Sequence, residues 1–108
     1  MNKPISSIYL LHANICKVFT NPLRIMIMDE LQHGERTVSR LEKAIGARQA
    51  TLSQHLAVLR GRGIVEAERR GQNVFYSISN PKILEACRLM REVLFEQIEE
   101  NSRLLRTK

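Results

Sequence analysis

A mainly α-helical fold with one small β-hairpin is what this chain predicts, in the order α-α-(β)-α-α-β-β-α. Three observations predict it. First, Val38, Leu41, Ala44 and Ile45 recur at helical spacing, as do Leu52, Leu56 and Leu59, with Gly46-Ala47 as a turn between the two runs. Second, Ile64 to Arg69 and Val74 to Ile78 are β-rich runs around a polar, Gly-containing tip, Arg70-Gly71-Gln72-Asn73. Third, Asn-Pro pairs at Asn21-Pro22 and Asn80-Pro81 mark two helix starts. Asn caps a helix N-terminus and Pro is pre-organised for the first helical position. Two helices joined by a short Gly-containing turn and trailed by a hairpin make a winged helix-turn-helix, whose second helix is built to enter the DNA major groove.

The remaining elements follow in order. A first helix is expected over about residues 5–18, with Ile8, Leu11, Ile15 and Val18 as its stripe. The second starts at Pro22, carries Leu23, Ile27, Glu30 and Leu31 at helical spacing, and stops at Gly34. Glu35-Arg36-Thr37 adds a short strand to the hairpin. The helix-turn-helix occupies about 38–60 and the wing about 64–78. A long last helix spans about 81–105, its apolar stripe being Ile83, Cys87, Met90, Leu94 and Ile98, with Ala86, Val93 and Phe95 widening it. Nothing else in so short a chain covers these terminal stripes. The economical arrangement is a single domain, 1–108, that forms a homodimer through its first and last helices.

Composition narrows the function. The chain has 108 residues, a net charge of +6 and a pI near 9.9. Between Arg36 and Gln72 stand eight basic residues against three acidic ones, nearly the whole excess. A basic patch concentrated on the motif is the footprint of phosphate binding. No apolar run approaches a membrane span and no secretory signal is evident, so the expected location is the cytoplasm. Cys16 and Cys87 cannot build a disulfide scaffold, and in that compartment they are expected to be reduced. No enzyme or cofactor is expected. The chain has neither a glycine-rich phosphate loop nor a nucleophile triad, and the adjacent pairs Asp29-Glu30 and Glu99-Glu100 do not face each other on a helix.

The candidate DNA contacts lie on the second motif helix and the wing. With Leu52, Leu56 and Leu59 inward, the helix presents Gln49, Ser53, Gln54 and Arg60 outward. Gln bonds bidentately to adenine, Ser is adaptable, and Arg reads guanine or pairs with phosphate. Ala50 and Thr51, near the helix start, allow close backbone approach or contact with a thymine methyl. His55 has two readings, a phosphate donor or a partly buried side chain bonded to a neighbouring backbone group. At the wing, Arg69, Arg70, Gln72 and Asn73 have the reach to enter a minor groove. A plain solvent-exposed turn is the alternative there.

Several of these runs resemble the ArsR-type (arsenic-repressor-like) winged-helix regulators. They are Phe19-Thr20-Asn21-Pro22-Leu23-Arg24-Ile25, Arg48 to Arg60 with its Ser53-Gln54-His55-Leu56-Ala57-Val58-Leu59-Arg60 core, Gly63-Ile64-Val65, Arg70-Gly71-Gln72 and Val74-Phe75-Tyr76. The likeness covers about residues 8 to 95. It implies a homodimeric repressor on a palindromic operator overlapping its own promoter, released by a bound effector or by oxidation. One departure is Arg48, where the family usually places a Ser that caps the recognition helix. Arg has no side-chain acceptor for that task, but it suits a phosphate.

The sensor is where the likeness thins. The arsenic and cadmium type sets paired cysteines in the first motif helix, where this chain has Thr37, Val38, Ser39 and Arg40. The zinc type takes carboxylate and His ligands from the last helix, where the matching places hold Asn80, Lys82, Val93 and Glu96. One carboxylate in four does not bind zinc, so neither familiar metal site is expected. Thiol-switch members pair a cysteine of the second helix with one of the last, but Met28 and Asp29 stand near that second-helix place. Three readings of Cys16 and Cys87 stay open: inert packing, a thiol or persulfide switch, or a soft-ion site that includes His12. A different class of function, a winged-helix protein-interaction module without specific DNA binding, would be marked by loss of the basic polar face.

Overall fold

Three helices begin where the sequence supplies an acceptor for a free N–H of the first turn. The side chain of Asn21 accepts from the Leu23 N–H at 2.9 Å, and that of Asn80 from the Lys82 N–H at 3.0 Å. Thr37 Oγ1 accepts from the Arg40 N–H at 3.3 Å. The computed structural model describes residues 6–106. Its elements are α1 (Ser7–Val18), α2 (Pro22–Leu31), β1 (Arg36–Thr37), α3 (Val38–Ile45), α4 (Gln49–Gly61), β2 (Val65–Arg70), β3 (Asn73–Ile78) and α5 (Pro81–Arg106). This is the expected order, and the expected start of the first helix at residue 5 lies outside the described residues. Gly46 closes α3 in the left-handed region, at φ 83°, where a side chain would be strained.

The three strands form one antiparallel sheet in the order β1-β3-β2. The short strand expected before α3 is present, with Arg36 opposite Tyr76 and Thr37 opposite Phe75. The hairpin differs from expectation in one respect. Arg70 pairs with Asn73, so the turn contains only Gly71 and Gln72 rather than four residues. Gly71 has φ +61° and no non-Gly residue has a positive φ among the described residues. A positive φ at the first loop residue alone is the type II′ geometry that suits the twist of paired strands.

The core is assembled from the middle of the chain. Ile27, Met28 and Leu31 of α2, Leu41 of α3, and Leu52, Leu56 and Leu59 of α4 are buried, closed by Ile64 and Val65 entering β2 and by Val18 at the end of α1. Along α2 and α4 these positions repeat at three and four residues, so one face of each of those helices is spent on the core.

The terminal helices are different. Ile8, Leu11 and Ile15 of the α1 stripe are 64%, 59% and 43% exposed. No residue of α5 is fully buried. Of its expected stripe, Ile83 and Cys87 are half-buried, whereas Met90, Leu94 and Ile98 stand in solvent. The side of α5 that meets α2 is instead marked by Leu84, Cys87 and Arg91, with Arg91 bonded to Asp29 at 3.0 Å.

Candidate nucleic-acid interface

The orientation of α4 follows from three leucines. Leu52, Leu56 and Leu59 are 0% exposed, which fixes the rotation of the helix about its axis. Gln49, Ala50, Ser53, Gln54 and Arg60 are therefore exposed, and Thr51 and His55 lie half-buried along a flank. Among the described residues, the side chains of Gln49, Ser53 and Gln54 spend no hydrogen bond within the chain. Their donors and acceptors remain open to base edges. Arg48 occupies the N-cap of α4 with no side-chain cap bond, as its chemistry dictates, and is exposed.

Of the two sequence readings of His55, the partly buried one differs from the structure in its bonding partner. It is half-buried, but its partner is a side chain rather than a backbone group: Arg24 Nε donates to His55 Nδ1 at 3.1 Å. Burial, and after it the nearby Arg24 charge, hold the His55 pKa below its ordinary value. The imidazole is thus neutral, with Nδ1 as acceptor and the ring proton on Nε2. Sequence reasoning passed over Arg24. The signal was available, since Arg24 stands three, four and seven residues before the buried Ile27, Met28 and Leu31, at a place where a side chain faces inward.

The wing separates its two arginines. Glu66, Glu68 and Arg70 alternate onto one face of β2, with Phe75 opposite Glu68. There Arg70 makes a fork to Glu35, at 2.5 and 2.7 Å, and bonds Glu68 at 3.2 Å. Its guanidinium also lies 4.6 Å from the centre of the Phe75 ring. The bond from Arg70 is the main reason that Glu35 and Glu68 are both held below the usual carboxylate range. Arg70, expected as a free groove-entering side chain, is therefore already paired within the chain. The cause is the tight two-residue turn, which carries Arg70 into the strand and onto the face of Glu68. Arg69, Gln72 and Asn73 are exposed, and Arg69 forms no ion pair among the described residues.

Cys87 opens on a groove of about 150 Å³ between α2 and α5, with Met28 and Asp29 among its walls. The second-helix place named by the resemblance does face the last-helix cysteine, but it carries no thiol. Burial, and after it the charge of Asp29, push the Cys87 thiol above its ordinary pKa, partly offset by Arg91. A thiolate is the reactive form, so these surroundings weigh against Cys87 as a fast thiol switch. Cys16 is exposed, and neither cysteine is in a disulfide. Among the described residues no three of His, Cys, Asp and Glu gather as a ligand set, so His12, Cys16 and Cys87 do not converge within one chain.

Known proteins place this geometry in a family. Residues 21–67, from the cap of α2 into β2, match the model of the bacterial regulatory proteins of the arsR family. The biofilm growth-associated repressor of Xylella fastidiosa is 44% identical over 70 residues, 65% of this chain and 61% of that protein, so the chain spans about three fifths of its length. The HTH-type transcriptional regulator Rv0081 of Mycobacterium tuberculosis is 35% identical over 99 residues, 91% of this chain and 87% of that protein. The crystal structure of Rv0081 superposes with a TM-score of 0.81 over 90% of this chain and 98% of that one. The homodimeric winged helix-turn-helix DNA-binding domain Mb0332 of Mycobacterium bovis, 29% identical, superposes with a TM-score of 0.80 over 93% and 95% of the two chains. With its fold, its open recognition helix and these relatives, the chain belongs to the arsR family of bacterial regulatory proteins.

Proposed function

We propose that the chain is a sequence-specific, DNA-binding transcriptional repressor that acts in the cytoplasm as a homodimer on a palindromic operator. The observation that carries this reading is the face of α4. Among the described residues, Gln49, Ser53 and Gln54 are exposed and unspent, and Arg48 and Arg60 stand near the two ends of the helix without carboxylate partners. Gln49, Ala50, Thr51, Ser53 and Gln54 read base edges, while Arg48, Arg60 and Arg69 meet phosphates or the minor groove, flanked by Gln72 and Asn73. The two recognition helices of the dimer enter successive major grooves about 34 Å apart. What supports dimerisation is the pair of uncovered apolar faces on α1 and α5, together with the homodimeric Mb0332 domain. Relatives named as repressors support the direction of regulation.

The test is a titration of the reduced protein against the DNA upstream of its own coding region, repeated after mild oxidation or persulfide treatment. Tight, specific binding is the expected result in the reduced state. Binding that survives treatment makes Cys16 and Cys87 packing residues, whereas binding lost on treatment restores the switch despite the raised Cys87 pKa. Absence of specific binding in either state would sink the repressor reading and favour a protein-interaction module.

A further inference from the structure

Arg24 fills a place that its neighbours give to hydrophobic side chains. With Ile27, Met28 and Leu31 it completes the i, i+3, i+4, i+7 set of the inward face of α2, and those three are buried. Arg24 is the N-terminal member, half-buried where α2 meets the flank of α4. Among the described residues it has no carboxylate partner, the ion pairs being formed by Arg70, Arg88, Arg91 and Arg103. Asp29 and Glu30, the nearest acids in sequence, are on the same helix, and Asp29 is already paired with Arg91. A half-buried cation without a counter-charge is costly to keep in a core margin. Among the described residues only its Nε–H is spent, on His55, and the four remaining N–H groups of the fork make no bond.

His55 completes the arrangement. It accepts at Nδ1, so its Nε2–H is a second donor beside the guanidinium. Arg48 and Thr51 precede it by seven and four residues, which places them along the same flank of α4. That flank borders the face assigned to base reading.

We propose that Arg24 and His55 together bind one backbone phosphate of duplex DNA beside the recognition helix. The proposal rests on the DNA-binding reading and names a contact within it. A phosphodiester suits the site because a guanidinium fork bonds two of its oxygens in parallel and supplies the missing counter-charge. Such a contact fixes the depth and tilt of α4 in the groove but carries no sequence information. It also supplies the counter-charge that Arg24 lacks among the described residues.

The experiment compares the full chain with Arg24→Gln on its promoter duplex and on a random duplex of equal length, across a salt series. The expected result is a loss of about tenfold on both duplexes. The slope of log affinity against log salt should fall by about 0.9 for each subunit. Duplexes with a single neutral methylphosphonate at successive positions locate the contact. Wild type should lose affinity at one phosphate per half-site, and Arg24→Gln should show no further loss there. Circular dichroism melting establishes that the variant folds. If it does not, Arg24→Lys replaces it, and its loss at that methylphosphonate should be smaller than that of wild type. A folded Arg24→Gln with unchanged slope, or a methylphosphonate loss equal in variant and wild type, overturns the proposal while leaving DNA binding intact. Failure of the wild type to bind either duplex overturns the DNA-binding reading itself.

Discussion

The middle of this chain and its two ends solve the problem of apolar surface differently. From α2 to β2 the hydrophobic positions close on one another, and Ile27, Leu41, Leu52, Leu56 and Leu59 are all 0% exposed. In α1 and α5 the same kind of periodic stripe stands open, with Ile8 at 64%, Met90 at 63% and Ile98 at 62%. The pattern of residues is alike in both regions, so pattern alone does not say where the covering surface comes from. The middle is complete within one chain, and the ends need another surface. In the dimer proposed above the distinction is functional, because the uncovered ends would set the spacing of two reading heads.

The largest expected effect breaks the middle. Leu56→Ala should lower unfolding stability by about 2–5 kcal/mol, read by urea denaturation, because the site is fully enclosed and leaves a cavity. A loss below about 1 kcal/mol would mean that the core collapses around the gap. At the ends, Met90→Glu combined with Leu94→Glu should leave the winged helix folded yet shift sedimentation to a monomer. Operator affinity should then fall by about a hundredfold or more, through loss of two-site binding. An unchanged sedimentation coefficient would remove α5 from the dimer interface.

Within the finished reading head the effects are smaller. Gln49→Ala should cost about 1–3 kcal/mol of discrimination between operator and random duplex. Equal loss on both would make Gln49 a backbone contact. In the wing, Arg69→Ala should reduce the salt slope by about 0.9 per subunit. Arg70→Ala should change it less, since Glu35 and Glu68 already neutralise that charge. Equal slopes for the two variants would show that DNA releases Arg70 from its carboxylates.

The smallest effect is the pH response of the same network. The pKa of Glu35 is depressed in the fold, chiefly by the bond from Arg70. The group therefore contributes stability above its ordinary carboxylate range, and that contribution is lost as pH falls through the depressed value. Both side chains are near half-exposed, at 45% and 41%, so solvent screens the pair and the gain is slight. Thermal melts of wild type and Glu35→Gln should converge as the pH is lowered through that range. Melting curves that stay equally far apart at every pH would show that the ion pair adds nothing.

Much of this was legible in the residues themselves. Asn21 and Asn80 announce helix starts by local chemistry, and Gly46 a helix end by local geometry. The rotation of α4 could be read from three leucines, because one turn of helix relates them. These are short-range properties, carried by groups a few residues apart. The pairing of Arg70 was not legible for a complementary reason. Glu35 is 35 residues away in sequence, and only the pairing of β1 with β3 brings it to the wing. Arg24 and His55, 31 residues apart, meet only because α2 packs on α4.

By itself, then, the sequence determined the order of elements, the face that α4 leaves exposed and the basic character of the segment that carries it. Each depends on backbone periodicity and local capping, which neighbouring residues encode. Tertiary structure decided which charges are free and which are spent, that His55 is neutral, and that Cys87 sits in a groove beside Asp29 instead of a second thiol. Charge state and reactivity depend on burial and on partners distant along the chain, and those distances exist only once the helices and the sheet have packed.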